Sequence, residues 1–217
     1  MSLPPPPASP PGDPVIDILH EGTRLFRVHQ DRYAADAFNP KKQPSILDGG
    51  RFDSLDGSYA YTYLGDTAAA AIAETICRDV PINGSPRLVP RSRISGRSLT
   101  AVDITRDVSV LVLHGAALNQ VGAPLDLTKC EADQYVMTRR WAQALRMWCP
   151  GVAGFRYRPR HDEDRLAFVL FDDTPGCNGC RARGAIRAAS GSSLDLTSTA
   201  GRKLLDDVLR EHNAALS

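Results

Sequence analysis

Apolar and polar positions change period several times along the chain, and each change predicts an element. Thr23–His29 reads as a short strand, and residues 31–50 as a polar, turn-rich stretch that ends in Asp48, Gly49 and Gly50. From Ser58 to Leu64 the aromatic residues Tyr59, Tyr61 and Tyr63 alternate, the period of a second strand. Asp66 or Thr67 is then placed to cap a helix from Ala68 to Cys77, almost wholly Ala, Ile, Thr and Cys with one charge, Glu74. Residues 81–97 are rich in Pro, Gly and Ser and read as a loop. Ser98–Asp103 and Val108–Leu113 read as extended or mixed. Glu131–Cys149 carries a helical stripe of Tyr135, Trp141, Leu145 and Trp148. Val152–Tyr157 reads as a strand, and Leu166–Phe171 is a continuous apolar run suited to the centre of a sheet. Ser198 or Thr199 starts a last helix to about Ala215, with Leu204, Leu205, Val208 and Leu209 on one face. This order of elements predicts an α+β domain with a short helical tail.

The ends change the picture little. Residues 1–14 hold seven prolines and no apolar centre, so they read as an extended, solvated, disordered tail and not as a secretory signal. Residues 15–176 are then the main domain, and residues 177–217 a Gly/Ser/Ala/Arg-rich linker followed by the last helix. Five cysteines, an odd number, fit a reducing compartment, and a cytoplasmic location is expected. Cys77, Cys130 and Cys149 lie in apolar surroundings and read as core residues. Cys177 and Cys180 form a lone CxxC without a second ligand pair, so no metal is expected.

Charge adds one exclusion and one hint. The 217 residues carry a net charge of +1, which argues against a general nucleic-acid binder. No run reaches the ~18 apolar residues of a membrane span. The basic residues are 22 Arg and 4 Lys, and the acidic ones 20 Asp and only 5 Glu. Arginine is the side chain suited to bidentate phosphate contacts, although codon usage alone accounts for such a bias. Glu74 stands out because a carboxylate on an apolar helix must be paired, neutral or aimed at something. Two readings are open on spacing: an ordinary i,i+4 pair with Arg78, or a functional carboxylate.

Gly50-Arg51-Phe52, then Ala60-Tyr61-Thr62-Tyr63, then Ala73-Glu74 closing an Ala-rich helix, resembles the RES-domain family, as do Leu25-Phe26-Arg27-Val28 and Gly154-Phe155-Arg156-Tyr157. The resemblance spans about residues 20–173. It implies a single α+β domain with a split mixed/antiparallel sheet similar to ADP-ribosyltransferases. It also implies an NAD-degrading activity, as in toxins of bacterial toxin–antitoxin pairs, with NAD as substrate, inorganic phosphate as a further reactant and an antitoxin as partner. By the resemblance Arg51 and Glu74 are the catalytic pair, and Arg27, Arg51 and Tyr63 contact NAD. The family serine falls at Pro159, and residues 150–176 contain no serine. Three functions remain open: cleavage of the nicotinamide–ribose bond to water or phosphate, ADP-ribosyl transfer or another NAD-using reaction, and non-catalytic nucleotide binding. Oligomeric state is not legible.

Overall fold

The tyrosines expected to alternate do so on β3 (Tyr59–Gly65), in the middle of a nine-stranded mixed sheet. The structure is a computed structural model, and it describes residues 3–45, 49–80, 87–173 and 182–217. On one side of β3 lie β8 (Ala167–Asp173), β7 (Gly154–Tyr157), β6 (Val108–Leu113) and the edge strand β1 (Ile16–Leu19). On the other lie β2 (Arg24–Gln30) and β5 (Arg97–Ile104), the latter paired with two short strands, β9 (Ile186–Ala188) and β10 (Leu194–Asp195). Only β6 and β7 run parallel within this sheet; its other pairs are antiparallel.

The two halves meet weakly. Strands β2 and β5 share seven registered pairs, and β3 and β8 share seven. Between β2 and β3 the register holds at one pair, Phe26 opposite Gly65. Gly65 is needed there: a Cβ would lie 2.4 Å from the amide nitrogen of Ala71, on the helix packed over this strand end. Beyond that pair the strands part, which is the split in the sheet.

Helices cover the two halves differently. The helix α4 (Tyr135–Trp148) buries Trp141 and Leu145 against Phe52, Tyr59, Phe155 and Phe171. The short helix α1 (Ala68–Ile72) and α5 (Thr199–Glu211) pack together over β2 and β5, joining Ile72 and Ile76 to Leu205 and Leu209. The apolar face read for the last helix is thus covered by its own domain. Ser198 caps it, its hydroxyl accepting from the Gly201 amide at 3.1 Å. The helix stops at Glu211, short of the expected Ala215. Asn213 takes φ +48°, a conformation asparagine tolerates, and β11 (Ala214–Leu216) then pairs in parallel with β4 (Arg87–Val89). Two single-turn helices, α2 (Ala117–Gln120) and α3 (Asp126–Lys129), link β6 to α4.

Two expectations about the ends need correction. Residues 3–14 lie on the domain and are not a free tail. Leu3 is buried in the α4 cluster, its amide donating to Gln134, and the Trp141 indole donates to the Pro4 carbonyl at 2.8 Å. A buried indole N–H needs an acceptor, and a proline-rich strand presents unpaired carbonyls. Likewise the segment read as a linker supplies β9 and β10, strands too short to leave a periodic trace. Cys77, Cys130 and Cys149 are buried, as read; Cys177 and Cys180 lie outside the described residues. Among the described residues no helix is long and apolar enough to cross a membrane.

Candidate active site

The split between β2 and β3 opens into a cleft of about 990 Å³, at the upper end of the ~300–1,000 Å³ usual for small-molecule and cofactor sites. Arg27 and His29 line it from β2, Tyr61 and Tyr63 from β3, and Glu74 and Arg78 from the chain after α1. A smaller cavity of about 380 Å³ lies beside Asp36, Asp172 and Asp173. Its two C-terminal carboxylates are paired, with Arg183 and Arg146, and it contains none of the sequence-derived site residues.

Glu74 reaches the cleft because the helix changes hand-hold just before it. Thr67, one of the two expected caps, accepts from the Ala70 amide at 3.0 Å; Asp66 instead accepts from the Leu166 amide. After Ile72 the backbone widens into a π-helical turn, Ala73–Cys77. Such turns displace the register of side chains and recur at functional sites. Arg87 closes its end by donating to the Cys77 carbonyl at 2.8 Å. The Glu74 carboxylate is 3% exposed. Its Oε1 accepts from the Tyr157 hydroxyl at 2.9 Å and from Arg51 Nη1 at 3.4 Å. Its Oε2 has no hydrogen-bond partner among the described residues. Arg78, the i,i+4 alternative, turns to Asp79 at 3.0 Å and to the Gly49 carbonyl at 3.3 Å. Buried beside Glu74, the Tyr157 phenol is held well above its ordinary pKa, so it stays a donor.

Arg51 stands behind the carboxylate and not in the cleft. It is fully buried, lies over the Tyr135 ring at 5.3 Å, and donates to the Cys130 carbonyl at 3.5 Å. Burial disfavours its cation, but Tyr135 and Glu74 outweigh that, and its pKa is raised. Its own carbonyl accepts from the Thr138 hydroxyl at 2.6 Å. Arg51 is absent from the cleft wall. The structure thus sets Arg51 where it fixes and balances Glu74, off the cleft wall, whereas the resemblance implies a contact with NAD.

The double glycine before Arg51 also has an internal purpose. A Cβ on Gly50 would lie 2.6 Å from the Tyr63 hydroxyl, and Gly49 sits at φ +90°. That hydroxyl donates to Asp53 Oδ1 at 2.7 Å and accepts from the Phe52 amide at 2.8 Å, while Asp53 Oδ2 accepts from the Gly50 amide at 2.7 Å. Arg139, fully buried, donates to the Gly50 carbonyl at 3.0 Å. Burial and Asp53 together raise the Tyr63 pKa well above its ordinary value. Tyr63 thus lines the cleft with its ring and ties the Arg51 turn with its hydroxyl. Tyr63→Phe is expected to cost about 1 kcal/mol or more, because the buried Asp53 acceptor and Phe52 donor lose their partner. A urea midpoint lowered without a change in slope checks this; an unchanged midpoint contradicts it.

Arg27 is half-buried in the cleft wall, with Nη1 donating to the Ala35 carbonyl at 2.7 Å. Burial lowers its pKa to about 10, Asp36 opposing the shift, so the group is a cation at neutral pH. Pro159, where the resemblance expects serine, is buried beyond β7, and its carbonyl accepts from Lys129 Nζ at 2.7 Å. It does not line the cleft. Tyr157 was quoted in the sequence only as part of a motif; its bond to Glu74 spans 83 residues and leaves no local signal.

A mixed, split sheet around an arginine-lined cleft, with the buried Glu74 carboxylate in its wall, defines an α+β domain. The RES domain model matches residues 24–195, and the chain belongs to the RES-domain family. Among solved structures it is similar to MbcT in the crystal structure of the M. tuberculosis MbcT–MbcA toxin–antitoxin complex. The two share 16% sequence identity at a TM-score of 0.53, over 87% of this chain and 91% of the other, which establishes a common fold. No curated protein matches the sequence.

Proposed function

We propose that this protein is an NAD-consuming enzyme that cleaves the bond between nicotinamide and ribose, and that it acts as the toxin of a toxin–antitoxin pair. The observation that carries the reading is Glu74: a buried carboxylate with one oxygen pinned by Tyr157 and Arg51 and the other without a partner among the described residues, at the wall of an arginine-lined cleft. Membership of the RES family and the fold shared with MbcT support it.

The chemistry suits these groups. When the C1′–N bond of NAD breaks, its electron pair leaves with nicotinamide, which departs neutral, so no strong acid is required. Positive charge develops on the ribose, and a fixed carboxylate beside a ribose hydroxyl stabilises it. Glu74 Oε2 is free to accept that hydroxyl. Tyr157 and Arg51 hold the carboxylate in place, so little reorganisation is needed as charge appears. The ring of Tyr63 offers a face for nicotinamide, and Arg27 a cation for the ligand. Water or inorganic phosphate then bonds to C1′, giving ADP-ribose or its 1″-phosphate.

The toxin assignment rests on the neighbour's complex with an antitoxin. Expression of the wild-type chain in bacteria is expected to deplete NAD and arrest growth, and expression of Glu74→Gln to do neither. Arrest by both variants, or NAD loss with unimpaired growth, contradicts the toxin reading.

A further inference from the structure

We infer that Arg78, Arg93 and Arg97 form a diphosphate subsite in the cleft, which holds the bridging pyrophosphate of a dinucleotide. This rests on the NAD reading and places the ligand along the cleft. Three elements converge to build the cluster. Arg78 follows the π-helical turn, Arg93 ends the single turn Arg91–Arg93, and Arg97 opens β5. All three line the same cleft as Glu74.

Their charges are not balanced within the cluster. Among the described residues Asp79 is the one carboxylate in an ion pair with them, 3.0 Å from Arg78 and 3.8 Å from Arg93. Among the described residues the Arg97 side chain has no hydrogen bond and no ion pair. Burial and the neighbouring Arg93 and Arg78 lower its pKa, the effect of like charges held close. Among the described residues three guanidinium groups stand against one paired carboxylate, an excess of positive charge that complements a pyrophosphate diester. Planar guanidinium forks also match phosphate oxygens two at a time.

Other cations in the cleft are less suited. Arg27 is turned onto backbone carbonyls, and Arg32 is exposed, bonded to Gln30 and laid over Tyr33. The cluster is also adjacent to the carboxylate: Arg78 and Arg51 flank one Tyr135 ring, at 5.4 and 5.3 Å. A ribose at Glu74 and a diphosphate at Arg78 are neighbours in one ligand, with nicotinamide directed away towards Tyr63.

The test uses the purified full chain, with NAD and inorganic pyrophosphate as probes. Among the described residues no carboxylate pairs with Arg97, so Arg97→Ala is expected to keep the fold, which an unchanged Tm checks. It is expected to raise the NAD KM about 10–100-fold, the loss of one or two charge-assisted hydrogen bonds, with the larger effect on KM than on kcat. Arg97→Lys falls between. Pyrophosphate competes with NAD on the wild type, and its affinity by calorimetry weakens in Arg97→Ala by a similar factor. Unchanged KM and pyrophosphate affinity in both Arg97→Ala and Arg93→Ala overturn the subsite while leaving NAD cleavage standing. Pyrophosphate binding that Arg97→Ala abolishes, in a wild type that turns over no NAD, supports the subsite and overturns the NAD reading. No pyrophosphate binding by the wild type overturns the subsite.

Discussion

Glu74→Gln is expected to lower the proposed NAD turnover by about 10²–10³-fold, the loss typical of removing one preorganised electrostatic contact from a transition state. The substitution keeps the shape of the side chain and an oxygen for the Tyr157 hydroxyl. What it removes is the negative charge opposite the developing positive charge on ribose. Nicotinamide release is the readout, measured well below the melting temperature, because the variant also leaves Arg51 without its counter-ion. Glu74→Asp separates charge from position: it keeps the charge but withdraws it by one methylene, and its turnover falls between the two. Wild-type turnover in Glu74→Gln rejects the mechanism.

Arg51→Met is expected to be the most destabilising substitution at the site. Removing one partner of a buried ion pair leaves the other charge buried without compensation, at about 3–5 kcal/mol. In a chain of this length that is a fall of roughly 6–20 °C in Tm. The pair is 0% and 3% exposed, so solvent screening does not soften the loss. The double variant Arg51→Met/Glu74→Gln removes both charges and should recover part of the stability, so the two single effects do not add. Additive losses, or a single loss below about 1 kcal/mol, contradict the pairing. Arg51→Lys tests its supporting role separately. Because Arg51 lies behind Glu74, NAD KM changes less than kcat; a rise confined to KM restores the direct phosphate contact that the sequence suggested.

The part of the site legible in the sequence is the part encoded locally. An Ala-rich helix with a single carboxylate singled out Glu74, and the period-2 tyrosines placed Tyr63 on a strand. What makes Glu74 a candidate in the structure is not local. The π-helical turn has no propensity signature, Tyr157 lies 83 positions away, and Arg51 meets the carboxylate through folding of a glycine turn stitched by Tyr63 and Asp53. The arginine excess carried information without addresses: Arg93 and Arg97 sit in a stretch read as loop, and only the approach of three elements makes them a cluster. Short strands were lost for a similar reason. Residues 186–188 and 194–195 pair with β5 over two or three positions, too few for a period to appear. The proline-rich segment misled because composition describes a solvated chain, whereas the Trp141 indole and the pocket for Leu3 recruit it to the surface of α4.

The most direct test is release of free nicotinamide from NAD by the purified 217-residue chain, with and without inorganic phosphate, beside the Glu74→Gln variant. The account predicts nicotinamide released catalytically by the wild type, together with ADP-ribose or its phosphate, and a loss of about 10²-fold or more in the variant. No release by a folded wild type under either condition, or equal release by both proteins, contradicts it.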